Sequence, residues 1–181
     1  MKGLLLLSDN VEDVEALATR ALLIRSGFTI TTASLNQTKQ ITTAFGLSFE
    51  ADELYDHLDI SSYDLLIIPG GKYVANTIDN SSIPMIAKTF YDQDKVIAAI
   101  CAGPRFLGKA GLLNGLQYTA FPGSENDSPK GIYLPDYKAH TDGKVITAKG
   151  AGTVYDFVYQ IIQYFQSKEH ADQLLKSIHN T

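Results

Sequence analysis

The chain has 181 residues, 45% of them hydrophobic and 19% charged, with a formal net charge of −5. That balance belongs to a globular chain long enough to bury one sizeable core, and it excludes intrinsic disorder. Net negative charge without any Lys/Arg run argues against nucleic acid or an anionic membrane as partner, since both demand basic surface.

In chain order, Gly3–Leu7 reads as a buried strand. Its apolar run is shorter than the ~7–15 residues of a signal-peptide core and far short of the ~20 that cross a bilayer. Asn10–Ser26 is expected to form one helix closed by Gly27, with Val14, Leu17, Ala18, Ala21 and Leu22 as its apolar stripe. Phe28–Ser34 is the next strand. Ile41–Thr43 and Leu47–Glu50, around Phe45-Gly46, predict a small hairpin. Leu65–Ile68 is a fully apolar strand cut by Pro69-Gly70-Gly71, Ile83–Tyr91 a helix, Val96–Ile100 a second buried strand, and Pro104–Ala110 a helix. Lys138–His140 and Val145–Ala148 flank the hairpin signal Asp142-Gly143. Thr153–Gln166 is a long helix with Thr153 and Asp156 spaced as a capping box, and Glu169–Ile178 a short last one. There is no repeat or linker, so one domain over residues 1–181 is expected. Apolar runs alternating with amphipathic helices predict an α/β fold, a mainly parallel sheet covered on both faces. In such sheets sites form beyond the carboxyl ends of the strands. The loop after Leu7, Pro69-Gly70-Gly71 and Cys101 all fall there.

Cys101 is the one cysteine. It excludes an internal disulfide and points to a reducing cytoplasm. No Cys/His cluster has zinc spacing, so no metal is expected. The thiol lies in Ala99-Ile-Cys101-Ala-Gly103, with small residues two before and two after, the arrangement of a nucleophile elbow. Pro104 suits the first helical position. The sulfur would then sit at a helix N-terminus, a place where cysteine pKa values fall to ~3.5–7.5. The plain alternative is a buried cysteine acting as a small hydrophobe. Pro69-Gly70-Gly71 lets backbone approach a ligand, and the N–H groups of Gly71 and Ala102 are candidate oxyanion donors; alone, such a triplet is usually a turn. Glu15 lies on the border of the helical stripe and is the acid best placed to face inward, where burial raises a carboxyl's pKa. Glu12 and Asp13 read as charges favoured by the helix dipole. The residue after the cysteine is Ala102, and His57, His140, His170 and His179 offer no adjacent base, so a Cys-His-acid triad finds little support. No Gly-x-Gly-x-x-Gly follows the first strand, which ranks an inert nucleotide-binding domain last.

These residues resemble the DJ-one/ThiJ/PfpI superfamily through nearly the whole chain. The likeness lies in Glu15, Leu65-Leu-Ile-Ile-Pro-Gly-Gly71, Val96-Ile-Ala-Ala-Ile-Cys-Ala-Gly-Pro104 and Ile146-Thr-Ala-Lys-Gly-Ala-Gly-Thr153. The resemblance implies a flavodoxin-like three-layer sandwich and a homodimer. It makes Cys101 the reactive cysteine, Glu15 its protonated partner and Gly71 and Ala102 the backbone donors, with Gly70, Gly103 and Arg105 beside them. Arg105 would add positive charge near a thiolate. The PfpI protease-like branch has His where this chain has Ala102, which argues against a peptidase; some relatives carry a further histidine before the last hairpin, and its absence near Gly131-Ile132-Tyr133 points to the ThiJ-like bacterial branch. The implied activity is cofactor-independent and acts on small reactive carbonyls, glyoxalase- or deglycase-like. The alternatives are a redox sensor whose cysteine peroxide oxidises to sulfinate, or a chaperone.

Overall fold

A computed structural model describes residues 1–180; Thr181, the end of the expected domain, lies outside the described residues. The apolar runs become strands. Lys2–Leu7 (β1), Thr29–Ser34 (β2), Leu65–Ile68 (β6) and Val96–Ile100 (β7) carry almost wholly buried side chains in their central stretches. A strand covered on both faces has no reason to alternate, so an unbroken Leu/Ile/Val run is its signature. With Glu53–Leu54 (β5), Ala139–Asp142 (β10) and Val145–Ala148 (β11) they form a seven-stranded sheet in the order β10-β11-β7-β6-β1-β2-β5. All pairs are parallel except β10–β11, the antiparallel hairpin at one edge. Its turn is Gly143-Lys144 with Gly143 at φ 56°, one residue later than expected, because Asp142 still pairs with Val145.

The hairpin Gln40–Thr42 (β3) and Ser48–Glu50 (β4) stands apart from the sheet, as does the short parallel pair Gln117–Tyr118 (β8) and Ile132–Tyr133 (β9). Helices cover both faces. Thr19–Arg25 (α1) and Val154–Phe165 (α5) pack on one, with Lys168–Ser177 (α6) against α5. Ser82–Asp92 (α3) and Pro104–Lys109 (α4) pack together on the other. A single turn, Tyr73–Thr77 (α2), follows the loop after β6. This is the flavodoxin-like sandwich.

The expected helix over Asn10–Ser26 is shorter and starts differently. Residues 8–12 form a turn with Asn10 at φ 67°, a π-helical turn spans Val14–Ala18, and only then does α1 begin. Its buried stripe is Glu15, Ala16, Thr19, Leu22 and Leu23, one step round from the stripe read in the sequence; Val14 and Ala21 are exposed. Two polar residues inside the buried face disguised it. Glu12 and Asp13 are not merely charges at a helix start. Glu12 Oε2 accepts the Glu15 N–H at 2.7 Å, while the Asp13 carboxylate accepts the Thr43 hydroxyl at 2.6 Å and the Phe45 N–H at 3.2 Å, tying the β3–β4 hairpin to this turn. The expected capping box at Thr153 is absent, too. The Thr153 hydroxyl donates to the Gly150 carbonyl at 2.8 Å and accepts the Gly150 N–H at 3.0 Å, and Asp156 faces Lys138 instead.

Among the described residues no helix is long and apolar enough to cross a membrane.

Candidate functional site

The order of the sheet decides where loops meet. From β1 the chain moves outward to β2 and β5, then returns to β6 and β7 on the other side of β1. The crevice of such a sheet opens where this direction reverses, here between β6 and β1. Because β7, β6 and β1 are consecutive neighbours, the loops after Leu7, Ile68 and Ile100 lie side by side, with the loop after Ala148 next to β7.

Cys101 leaves β7 with φ 63°, a left-handed backbone that a residue with a Cβ adopts only at a cost, typically ~1–2 kcal/mol. Both its peptide groups are held. Its N–H donates to the Ala148 carbonyl at 2.9 Å and its carbonyl accepts the Phe121 N–H at 2.8 Å. The turn is crowded enough to explain its small residues. A Cβ on Gly103 would meet the Ile68 and Ile100 carbonyl oxygens at 2.5 and 2.9 Å, and one on Gly70 would meet the Cys101 Cβ at 2.7 Å and the Ala102 nitrogen at 3.0 Å. The close approach of the two loops therefore requires glycine at both positions. The thiol is half-buried.

Glu15 is 1% exposed. Its Oε2 accepts the Gly70 N–H at 2.8 Å, and the Cys101 thiol and the Ala151 N–H approach the same carboxyl. Oε1 is buried with no hydrogen-bond partner of good geometry among the described residues. Burial raises the carboxyl to about 7, and the nearby Glu12 charge adds to this, against the pull of the hydrogen bonds from Cys101, Gly70 and Ala151. Three hydrogen bonds close a ring around it: the Glu12 N–H to the Gly70 carbonyl at 3.0 Å, the Gly70 N–H to Glu15, and the Glu15 N–H to Glu12. Tyr73 donates to the Pro69 carbonyl at 2.7 Å and holds the same loop from below.

The expectation of a thiol lowered by a helix dipole meets a stronger opposing effect. Burial, then the Glu15 charge, push Cys101 up, while the Ala102 N–H pulls it back, and α4 is only six residues long. The two groups titrate as a pair. When Glu15 holds a proton its charge no longer repels a thiolate, and a protonated carboxyl becomes a donor to sulfur. Gly71, at φ 122°, follows Gly70, and its N–H has no partner among the described residues. The Ala102 N–H points at the sulfur. The Arg105 guanidinium is bound to Asp127, which Lys109 also approaches at 3.5 Å, so its charge is compensated by a carboxylate.

Four contributors were not legible as site residues: Glu12, Tyr73, Phe121 and the Gly150-Ala151 pair. The last had a usable signal, since β11 ends in Lys149-Gly150-Ala151-Gly152 much as β6 ends in Pro69-Gly70-Gly71. Among the described residues, no group of three or more His, Cys, Asp or Glu side chains is placed to hold a metal.

Known proteins share this outline. The profile of the DJ-1/PfpI family matches residues 1–164. The chain is 28% identical over 176 residues to the glutathione-independent glyoxalase DJR-1.2 of Caenorhabditis elegans, covering 97% of this chain and 94% of the relative. A deglycase of Pyrococcus abyssi is 28% identical over 164 residues, 90% of this chain and 98% of its own. The crystal structure of Drosophila melanogaster DJ-1beta superposes with a TM-score of 0.91 at 25% identity, covering 99% of this chain and 98% of that one.

Proposed function

The chain belongs to the DJ-1/PfpI family, and from its site we propose a cofactor-independent, glyoxalase- or deglycase-like activity on small reactive carbonyls, with Cys101 as nucleophile. The observation that carries this is a buried carboxyl, raised to about 7, in contact with a thiol held at positive φ. Such a pair shares one proton and can move it to and from carbon near neutral pH.

With a 2-oxoaldehyde, the Cys101 thiolate adds to the aldehyde carbon and forms a C–S bond. The negative charge that develops on the aldehyde oxygen is met by the Gly71 and Ala102 N–H groups, and the Glu15 proton passes to that oxygen. Glu15, now a carboxylate, takes the hydrogen from the sulfur-bearing carbon and returns it to the neighbouring carbon, while the hydroxyl proton moves to the former ketone oxygen. Water then attacks the resulting thioester. The C–S bond breaks, a 2-hydroxy acid leaves, and thiol and carboxyl hold their shared proton again. Oxoaldehyde and water give hydroxy acid, an internal redox change that needs no external oxidant. The test is lactate formation from methylglyoxal. Cys101→Ser should lose it by at least a hundredfold and Glu15→Leu nearly as much; a fully active Cys101→Ser enzyme refutes the reading.

A second reading is favoured by the lone thiol. With no second cysteine to resolve a sulfenic acid, peroxide would carry Cys101 on to sulfinate, hydrogen-bonded by protonated Glu15. Intact mass after mild peroxide should then show two added oxygens, and a folded protein that gains none counts against it. We also assign the chain to a homodimer, supported by exposed Val14, Phe45 and Leu47 on the π-turn and the hairpin bound to it, and to the cytoplasm, where a working thiol stays reduced.

A further inference from the structure

Gly150 borders the reactive sulfur, and its backbone does not explain why it is glycine. At φ 162°, ψ −171° it is extended, a conformation open to any residue. Nor is it crowded. A Cβ there would find the Phe121 Cδ2 at 3.8 Å and the Cys101 Sγ at 3.9 Å, both ordinary van der Waals contacts. What glycine supplies is therefore empty space, bordered by an aromatic ring and the nucleophile. Two contacts of 3.8 and 3.9 Å from one point place ring and sulfur within 7.7 Å of each other, close enough for both to touch one planar group. The Thr153 hydroxyl bonds both Gly150 peptide groups, so this floor is fixed.

Phe121 is fixed by its backbone and open at its ring. Its N–H donates to the Cys101 carbonyl at 2.8 Å, its carbonyl accepts the Ser124 N–H at 2.9 Å, and its side chain is 54% exposed. A single exposed phenyl is ordinary on a protein surface. This one is tied to the nucleophile's own peptide and offers an apolar face beside the sulfur with nothing polar to satisfy.

We propose that Phe121 and Gly150 form a substituent slot beside Cys101 that selects 2-oxoaldehydes bearing a flat apolar group, such as an aryl ring, over those bearing a methyl. The proposal deepens the glyoxalase-like reading and rests on it. The carbonyl carbon meets the sulfur while its substituent lies over Gly150 against the Phe121 ring, gaining the stacking contact that a methyl is too small to make.

The test compares phenylglyoxal with methylglyoxal in the parent, Phe121→Ala and Gly150→Ala proteins. Phe121→Ala removes the wall and Gly150→Ala fills the floor without a clash. Each should raise the ratio of KM for phenylglyoxal to KM for methylglyoxal about three- to tenfold. A second readout needs no turnover: the rate of Cys101 alkylation by N-phenylmaleimide relative to N-methylmaleimide, which both variants should lower by a similar factor. If neither oxoaldehyde is turned over by the parent and the maleimide ratio still falls, the slot stands and the glyoxalase reading is lost. If turnover is present and neither ratio moves in either variant, the slot is refuted and the glyoxalase reading survives.

Discussion

Replacing Glu15 with Gln keeps the side chain's length and its accepting oxygen for the Gly70 N–H while abolishing its titration. In the fold the carboxyl ionises near 7, against an ordinary value of 4.5, chiefly because it is buried. Between those two pH values the folded chain binds a proton that the unfolded chain has released. Stability therefore falls as pH rises through this window. Below 4.5 both states are protonated and nothing is lost; above 7 both are ionised and the full cost of a buried carboxylate is present. The displacement is worth about 3 kcal/mol. The unfolding free energy of Glu15→Gln minus that of the parent should thus grow by about that amount between pH 4 and pH 8, the Gln variant gaining at the alkaline end. Urea unfolding followed by circular dichroism at several pH values measures it, and taking the difference cancels every titration the two proteins share. A difference that stays flat within about 0.5 kcal/mol would mean an ordinary carboxyl, and the shared-proton chemistry would have no basis.

Three further expectations follow from particular contacts. Gly103→Ala forces a Cβ to 2.5 Å from the Ile68 carbonyl and should cost at least ~1–3 kcal/mol, seen as a lower Tm; Gly150→Ala, with contacts of 3.8 Å and more, should leave Tm within a degree or two. Asp13→Ala removes the acceptor for Thr43 and Phe45 and should destabilise by ~1–3 kcal/mol, with hydrogen exchange accelerated first at residues 43–47; uniform acceleration would refute the clamp. Arg105→Gln should leave the pH dependence of Cys101 alkylation unchanged, because Asp127 already compensates the guanidinium. A clear shift in that profile would show that the charge reaches the sulfur.

The apolar runs of β1, β6, β7 and β11 are legible because a strand buried on both faces has few other ways to read. The elbow is legible because crowding leaves only small residues around Cys101. β5, β8 and β9, two residues each, carry too little pattern to stand out from loop. The stripe of the first helix is displaced by one position because Glu15 and Thr19 are polar and face inward, so the residue of most interest is the one that spoils the hydrophobic pattern. The Ala151 and Gly71 donors are backbone groups, which every residue type possesses; only their position after a strand end marks them. Arg105 looks like a free cation in sequence because Asp127, its partner, lies 22 residues downstream on another turn.

Glu15, Gly70, Cys101 and Ala151 come from four separate crossings of a parallel sheet. Each crossing is a non-local closure, the kind of pairing that forms slowly during folding. A nascent or half-assembled chain therefore carries a thiol no different from that of free cysteine. The left-handed twist at residue 101 and the neighbouring acid belong to different strand ends, and only the assembled sheet brings them together. The contact between acid and sulfur is a property of the finished sheet and of no single segment.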